Sequence, residues 1–266
     1  MEVAIFKNDT LASQAAALLI ARRIRKNSGH AVLGLATGQT PLLTYEELVK
    51  IYVARKVSFK DVTAFNLDEY LGLAGSDPRS YRAYMKAQLF SGVDIDLSRC
   101  HIPDGMSKDA QEECLKYEEK IRTAGGIDLQ LLGIGQDGHI GFNEPSSSLS
   151  SRTRIKTLTE NTRVANAAHF GSSEAVPKHV LTMGLGTIME ARQCVLLAFG
   201  ANKANAVAKM VEGALTASVP ASILQMHPHC TVILDDQAAS KLERQSYYRE
   251  VFDKKPDWQR WDLPLS

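Results

Sequence analysis

The sequence lacks any C-x-x-C pair. Its four cysteines, Cys100, Cys114, Cys194 and Cys230, are scattered, which argues against a thiolate zinc site or a redox dithiol and fits buried thiols in a reducing compartment. It also lacks an excess of either charge: 31 Lys and Arg face 30 Asp and Glu. With no overall field to draw nucleic acid or an anionic membrane, any anionic ligand must be held by local groups. No hydrophobic run is long enough to span a bilayer, since AAALLIA (15–21) ends at Arg22 and Arg23, and MEVAIFKNDT has no basic leader. The expectation is a cytoplasmic protein with no membrane and no nucleic-acid partner. Repeats, low-complexity tracts and long linkers are missing too, so the 266 residues read as a single domain over 1–266.

What is present alternates. Short runs rich in Val, Ile and Leu fall at 3–6, 31–36, 62–67, 127–135, 193–199 and 230–234, and segments of helical period fall near 11–26, 41–55, 79–90, 108–123, 201–213 and 236–252. Continuous apolar runs between helices read as buried parallel strands, so the expected fold is α/β, a Rossmann-like open, mainly parallel sheet with helices on both faces. Pro41 is placed for a first helical position. The stretch SRTRIKTLT reads as an extra strand outside the main repeat, its alternation putting Arg152, Arg154 and Lys156 on one face.

Open parallel sheets bind ligands at the carboxyl ends of their strands, and the polar residues fall there. ATGQTP follows the second run, Asp68, Glu69 and Tyr70 the third, Asp137, His139 and Glu144 the fourth, and Lys203 the fifth. Thr37, Gly38 and Thr40 suit a single phosphate held by backbone N–H groups; a glycine-permitted turn with a threonine cap serves that segment as well, and Lys203 at the same edge favours the anion. LLGIGQDGHIGFNEP satisfies G-x-G-x-x-G, but Gly141 and Pro145 leave no helix after the glycines, which sets the dinucleotide reading aside. Asp137, His139 and Glu144 are metal-ligand types in no familiar zinc spacing and with no second histidine near, so acid and base work at an imidazole flanked by carboxylates is preferred, with no metal.

Together LATGQTPLLTY, FNLDEY, LLGIGQDGHIGFNEP, SRTRIKTL and VPKHVLTMGLGTI closely resemble the glucosamine-6-phosphate deaminase family, the likeness running over nearly the whole chain. ATGQTP is shared more loosely with 6-phosphogluconolactonases. The resemblance implies a Rossmann-like fold, no cofactor, and conversion of glucosamine 6-phosphate and water to fructose 6-phosphate and ammonia. It puts the C2 proton acceptor at Asp68, ring opening at His139 with Asp137 and Glu144, and phosphate at Thr37, Gly38, Thr40 and Lys203. Alternatives are a galactosamine-6-phosphate enzyme, a lactonase-like hydrolase and a non-catalytic phosphosugar-binding regulator.

In some members of that family an N-acetylglucosamine 6-phosphate activator binds between subunits of a hexamer. The matching positions here are Ser147, Ser148, Arg154, Lys156 and Thr157, with Tyr248 as the nearest carboxyl-terminal tyrosine; a solvated basic face is the alternative. One position departs from the family. Where most relatives carry a phosphate-binding arginine after NTRVAN, this chain has Ala168, followed by His169 and Phe170.

Overall fold

The computed structural model describes residues 1–259 and 261; the side chains of Ala168 and Trp258 lie outside the described set. The strands are β1 (Glu2–Phe6), β2 (Val32–Leu35), β3 (Thr63–Asn66), β4 (Asp68–Tyr70), β5 (Cys100–His101), β6 (Leu129–Gly133), β7 (Arg154–Thr157), β8 (His179–Thr182), β9 (Cys194–Ala198) and β10 (Cys230–Asp235). The helices are α1 (Asp9–Lys26), α2 (Leu42–Val53), α3 (Tyr81–Gln88), α4 (Ala110–Thr123), α5 (Glu160–Phe170), α6 (Leu185–Met189), α7 (Ala204–Val211) and α8 (Gln245–Asp253).

Seven strands form a parallel sheet in the order β1-β10-β9-β6-β2-β3-β5. Both faces are covered, as the continuous apolar runs require. On β2, Val32 faces a core shared with Tyr117 and Ile121 of α4 and Val207 and Met210 of α7, while Leu33 and Leu35 face Ile20 and Ile24 of α1 and Tyr45 and Leu48 of α2. Each fully buried aliphatic side chain contributes roughly 1.5–3 kcal/mol by leaving water. Alanines 12, 16, 17 and 21 bring α1 close to its neighbours.

Helix boundaries follow the caps. α1 starts earlier than its periodicity suggests because the Asn8 side chain accepts from Leu11 N at 2.9 Å. Pro41 is the N-cap of α2, one position before the first helical residue. The last helix is shorter than expected: after β10 the Asp235 carboxylate accepts from Ala238 N at 2.7 Å and Gly200 N at 3.0 Å, holding a turn where a helix was expected.

A second, antiparallel sheet, β4-β8-β7, lies beyond the end of β3. The run 62–67 does not end in a loop: Leu67 donates its N–H to Leu35 O at 3.1 Å and accepts from Met183 N at 2.7 Å, so the chain passes there from one sheet to the other. β7 is the extra strand expected in SRTRIKTLT, and it begins at Arg154. Arg154 and Lys156 share its half-buried face, whereas Arg152 lies before the strand and pairs with Glu118 and Glu190. A small core of Tyr70, Tyr81, Phe142, Leu158, Phe170 and Val180 joins this sheet to α3 and α5.

Candidate active site

Successive connections run in opposite directions from β2 and β6, which are neighbours, so the switch point of the main sheet lies between them. In sheet order, β9, β6, β2 and β3 lead to Lys203, to Asp137 and His139, to Thr37 and Gly38, and to Asp68. The topology sets side by side the four segments that the sequence separates.

The loop between β2 and α2 holds Thr37, Gly38 and Thr40. Gly38 has φ +93°. Among the described residues, nothing accepts a hydrogen bond from the backbone N–H of Thr37, Gly38, Gln39 or Thr40. Gly38 and Gln39 are exposed, so solvent reaches these donors, and a run of them around a left-handed glycine has the form of a nest suited to an anion. The Lys203 ammonium, half-buried after β9, is held below its ordinary range by burial, with the Asp137 charge acting against that fall.

Asp68 opens β4 and is buried. Burial, then the neighbouring Glu69 charge, push its carboxyl well above the usual carboxylate range. Glu69 points elsewhere and holds the fold together: its carboxylate accepts from the N–H groups of Tyr70, Tyr81 and Arg82 at 2.9, 3.0 and 3.0 Å, the last two in the first turn of α3. The loop after β6 crosses over Asp68. A Cβ on Gly141 would stand 3.1 Å from Thr182 Oγ1 and 3.7 Å from Asp68 Oδ2.

That loop needs its glycines for packing. A Cβ at Gly135 would lie 2.3–2.6 Å from the His139 ring, so only glycine leaves room for the imidazole. The segment 134–153 contains no helix. His139 Nδ1 sits 2.7 Å from Asp137 Oδ1, and His139 N donates to the same oxygen at 3.2 Å. Burial opposes ionisation of Asp137, but the His139 contact outweighs it and holds the carboxyl down to about 2. Glu144 is buried and accepts from Thr162 Oγ1 at 2.6 Å and Thr159 Oγ1 at 3.3 Å. One ligand-type atom from each of Asp137, His139 and Glu144 falls within 4.8 Å of the others. Both carboxylates are already engaged, one by the imidazole and one by threonines, which suits an oriented proton shuttle.

Comparisons with known proteins show which α/β family shares this arrangement of elements. A family model described as glucosamine-6-phosphate isomerases/6-phosphogluconolactonase matches residues 7–233. The chain belongs to this family. A glucosamine-6-phosphate deaminase of Mycolicibacterium smegmatis is 53% identical over 251 residues, 94% of each chain. That of Cutibacterium acnes is 51% identical over 266 residues, 99% of this chain and 98% of its own. Among solved structures, a monomeric glucosamine-6-phosphate deaminase superposes with a TM-score of 0.89 at 45% identity, covering 91% of this chain and 100% of its own. A 6-phosphogluconolactonase from Trypanosoma brucei, at 21% identity and TM-score 0.72 over 91% and 98% of the two chains, shares the fold.

The remaining family positions divide. Asp68, Thr182 and Arg154 form one row across β4, β8 and β7. Arg154 Nη1 donates to Asn143 Oδ1 at 2.8 Å, and Asn143 Nδ2 donates to Ile140 O and Met183 O, so Arg154 is tied into the His139–Glu144 loop. Ser147 is buried with a hydroxyl that has no partner among the described residues, Ser148 contacts Ser150, and Thr157 is exposed. Tyr248 is not brought to β7: α8 packs on β1, and the Tyr248 hydroxyl donates to Glu212 at 3.1 Å. The Ala168 side chain lies outside the described residues, and the neighbouring His169 Nε2 is 3.1 Å from Arg79 O. Asn143 and Thr182, which organise the loop, were missed by the sequence reading because their role depends on pairing across forty residues.

Proposed function

We propose that this protein is a glucosamine-6-phosphate deaminase, converting glucosamine 6-phosphate and water to fructose 6-phosphate and ammonia. The observation that carries the reading is the convergence, at one sheet edge, of an unpaired backbone anion cradle, a buried carboxylate at Asp68 and the Asp137–His139 pair. The identity of about half to full-length deaminases supports it over the lactonase alternative.

The phosphate is held by the N–H groups from Thr37 to Thr40 and by Lys203, and this remote binding energy orients the reacting carbons. Ionised Asp137 keeps a proton on His139 Nδ1, which leaves Nε2 to accept the proton from O1 and deliver it to O5 as the pyranose opens. Asp68 takes the C2 proton of the open-chain aldehyde, forming an enolamine, and returns it to C1, forming a ketimine. Water adds to C2 and ammonia leaves. A buried, elevated carboxylate is a stronger base than one in water, which is what abstraction of a carbon-bound proton needs.

The deciding experiment supplies glucosamine 6-phosphate, galactosamine 6-phosphate and 6-phosphogluconolactone separately. Ammonia and ketose phosphate in equal amounts, fastest from the glucosamine ester and retained after chelation, are expected. Lactone hydrolysis without ammonia release from either amino sugar contradicts the reading.

The half-buried face of β7 carries the regulatory part of the proposal. N-acetylglucosamine 6-phosphate at Arg154 and Lys156, with the preceding Ser147 and Ser148, would act on the catalytic loop through the Arg154–Asn143 bond, in a cytoplasmic homo-oligomer, whereas Thr157 lies on the other, exposed face of the strand. That ligand is expected to lower the half-saturating substrate concentration, and Lys156→Ala to abolish the effect. Kinetics unmoved by the ligand return β7 to a structural role.

A further inference from the structure

The cradle between Ala36 and Gly38 is gripped from behind by tyrosines on two different helices. Tyr45 on α2, fully buried, donates its hydroxyl to Ala36 O at 2.5 Å. Tyr84 on α3 donates to Gly38 O at 2.6 Å. Between them, Tyr81, one turn before Tyr84 and on the same face of α3, has its hydroxyl against the Thr37 side chain. Three consecutive loop residues are thus each met by a different phenol.

The consequence follows from peptide geometry. In a trans peptide the C=O of one residue and the N–H of the next point in opposite directions. Fixing Ala36 O on Tyr45 therefore aims Thr37 N–H away from α2, and fixing Gly38 O on Tyr84 aims Gln39 N–H away from α3. Those N–H groups are among the four that lack an acceptor. The Gly38–Gln39 peptide is the one most in need of a brace. Gly38 has no side chain to resist rotation, and a Cβ there would meet nothing within 4 Å. Burial pushes both phenols up, so both remain protonated donors across the neutral range.

We propose that Tyr84, with Tyr45, is a positioning residue for substrate phosphate: the two phenols hold the loop carbonyls back so that the cradle's N–H groups are presented before the ligand arrives. The proposal depends on the cradle being the phosphate subsite, and the test separates the two. Neither tyrosine touches the ligand in this role. Its loss costs preorganisation, so it weakens binding and leaves the chemical step alone.

The test compares wild type, Tyr84→Phe, Tyr45→Phe and Lys203→Met, measuring calorimetric binding of inorganic phosphate, KM and kcat for glucosamine 6-phosphate, and melting temperature. Tyr84→Phe keeps the ring and is half-exposed, so it should fold and melt like wild type; Tyr45→Phe strands a buried carbonyl and can lose stability. Tyr84→Phe is expected to weaken phosphate binding about threefold to tenfold, the size of one net hydrogen bond, and to raise KM by the same factor with kcat unchanged. If wild type binds phosphate, Lys203→Met weakens it and Tyr84→Phe leaves it unaltered, the brace is wrong while the subsite stands. A drop in kcat at constant KM also overturns the brace. If wild type does not bind phosphate, or Lys203→Met has no effect, the subsite reading itself fails and the brace with it.

Discussion

Between Ala36 and Pro41 nothing titrates, whereas the loop after β6 carries Asp137, His139 and Glu144. On the proposed function the first loop would work through its main chain, whose carbonyls at Ala36 and Gly38 accept from tyrosines of α2 and α3. The second works through side chains that its own glycines make room for. If the proposed function holds, binding and proton transfer are built from different atoms under different control, so a substitution should disturb one and spare the other. Asp68 belongs to neither loop; it comes from the junction of the two sheets, and the proposed mechanism makes it the base.

The largest effect is expected at Asp68. Asp68→Asn should lower kcat by on the order of a thousandfold, within the range for a lost general base, while inorganic phosphate binds as in wild type. It should also stabilise the fold. The carboxyl is elevated in the native state, so ionising it costs stability; the cost begins near the unfolded value of about 4 and grows until the native group has titrated. The asparagine variant should therefore melt higher than wild type at neutral pH, with the gap closing as the pH falls toward 4. A lower melting temperature at neutral pH would contradict the desolvated base.

Gly135→Ala comes next. Its methyl group must displace the imidazole, and a displacement of about 1 Å can cost about a hundredfold in rate. kcat should fall with phosphate affinity intact; equal losses in both would mean that the two loops are mechanically coupled. Lys203→Met should do the reverse, raising KM about tenfold to a hundredfold, as for a lost charge-assisted hydrogen bond. Because burial lowers the Lys203 ammonium from its ordinary value, wild-type KM should climb as the pH rises through the alkaline range below 10.5. In Lys203→Met that climb should vanish.

These contrasts also explain what was legible in the sequence. Asp137, His139 and Glu144 were visible because the loop is local, with residue types and glycines adjacent in the chain. The parallel sheet was visible because both faces are buried and the runs are continuous. β4 and β8 were not seen as strands: β4 is only three residues long and follows β3 after a single residue, so period alone could not separate them. Helix α5 was missed in a polar segment whose start is marked by a threonine cap on Thr162 N. Tyr45 and Tyr84 gave no signal, since a tyrosine at a helical position reads as core until the topology shows which carbonyl it meets.

The smallest effect concerns Ala168. Restoring the guanidinium with Ala168→Arg should lower KM a few-fold, about what one exposed ion pair supplies. His169→Ala should then matter little, because His169 is engaged with Arg79 O. A KM unchanged by Ala168→Arg would mean that this part of α5 does not face the phosphate.

The central claim, that Asp68 moves the C2 proton of a bound amino-sugar phosphate, is tested most directly by following glucosamine 6-phosphate in deuterium oxide by proton NMR with wild type and Asp68→Asn. Wild type should release ammonia and consume the C2 proton, with solvent deuterium at C1 of the fructose 6-phosphate only to the extent that the Asp68 carboxyl exchanges before it delivers its proton there, while Asp68→Asn binds the sugar phosphate and moves no C2 proton. Proton exchange at C2 by Asp68→Asn at close to the wild-type rate would contradict the account.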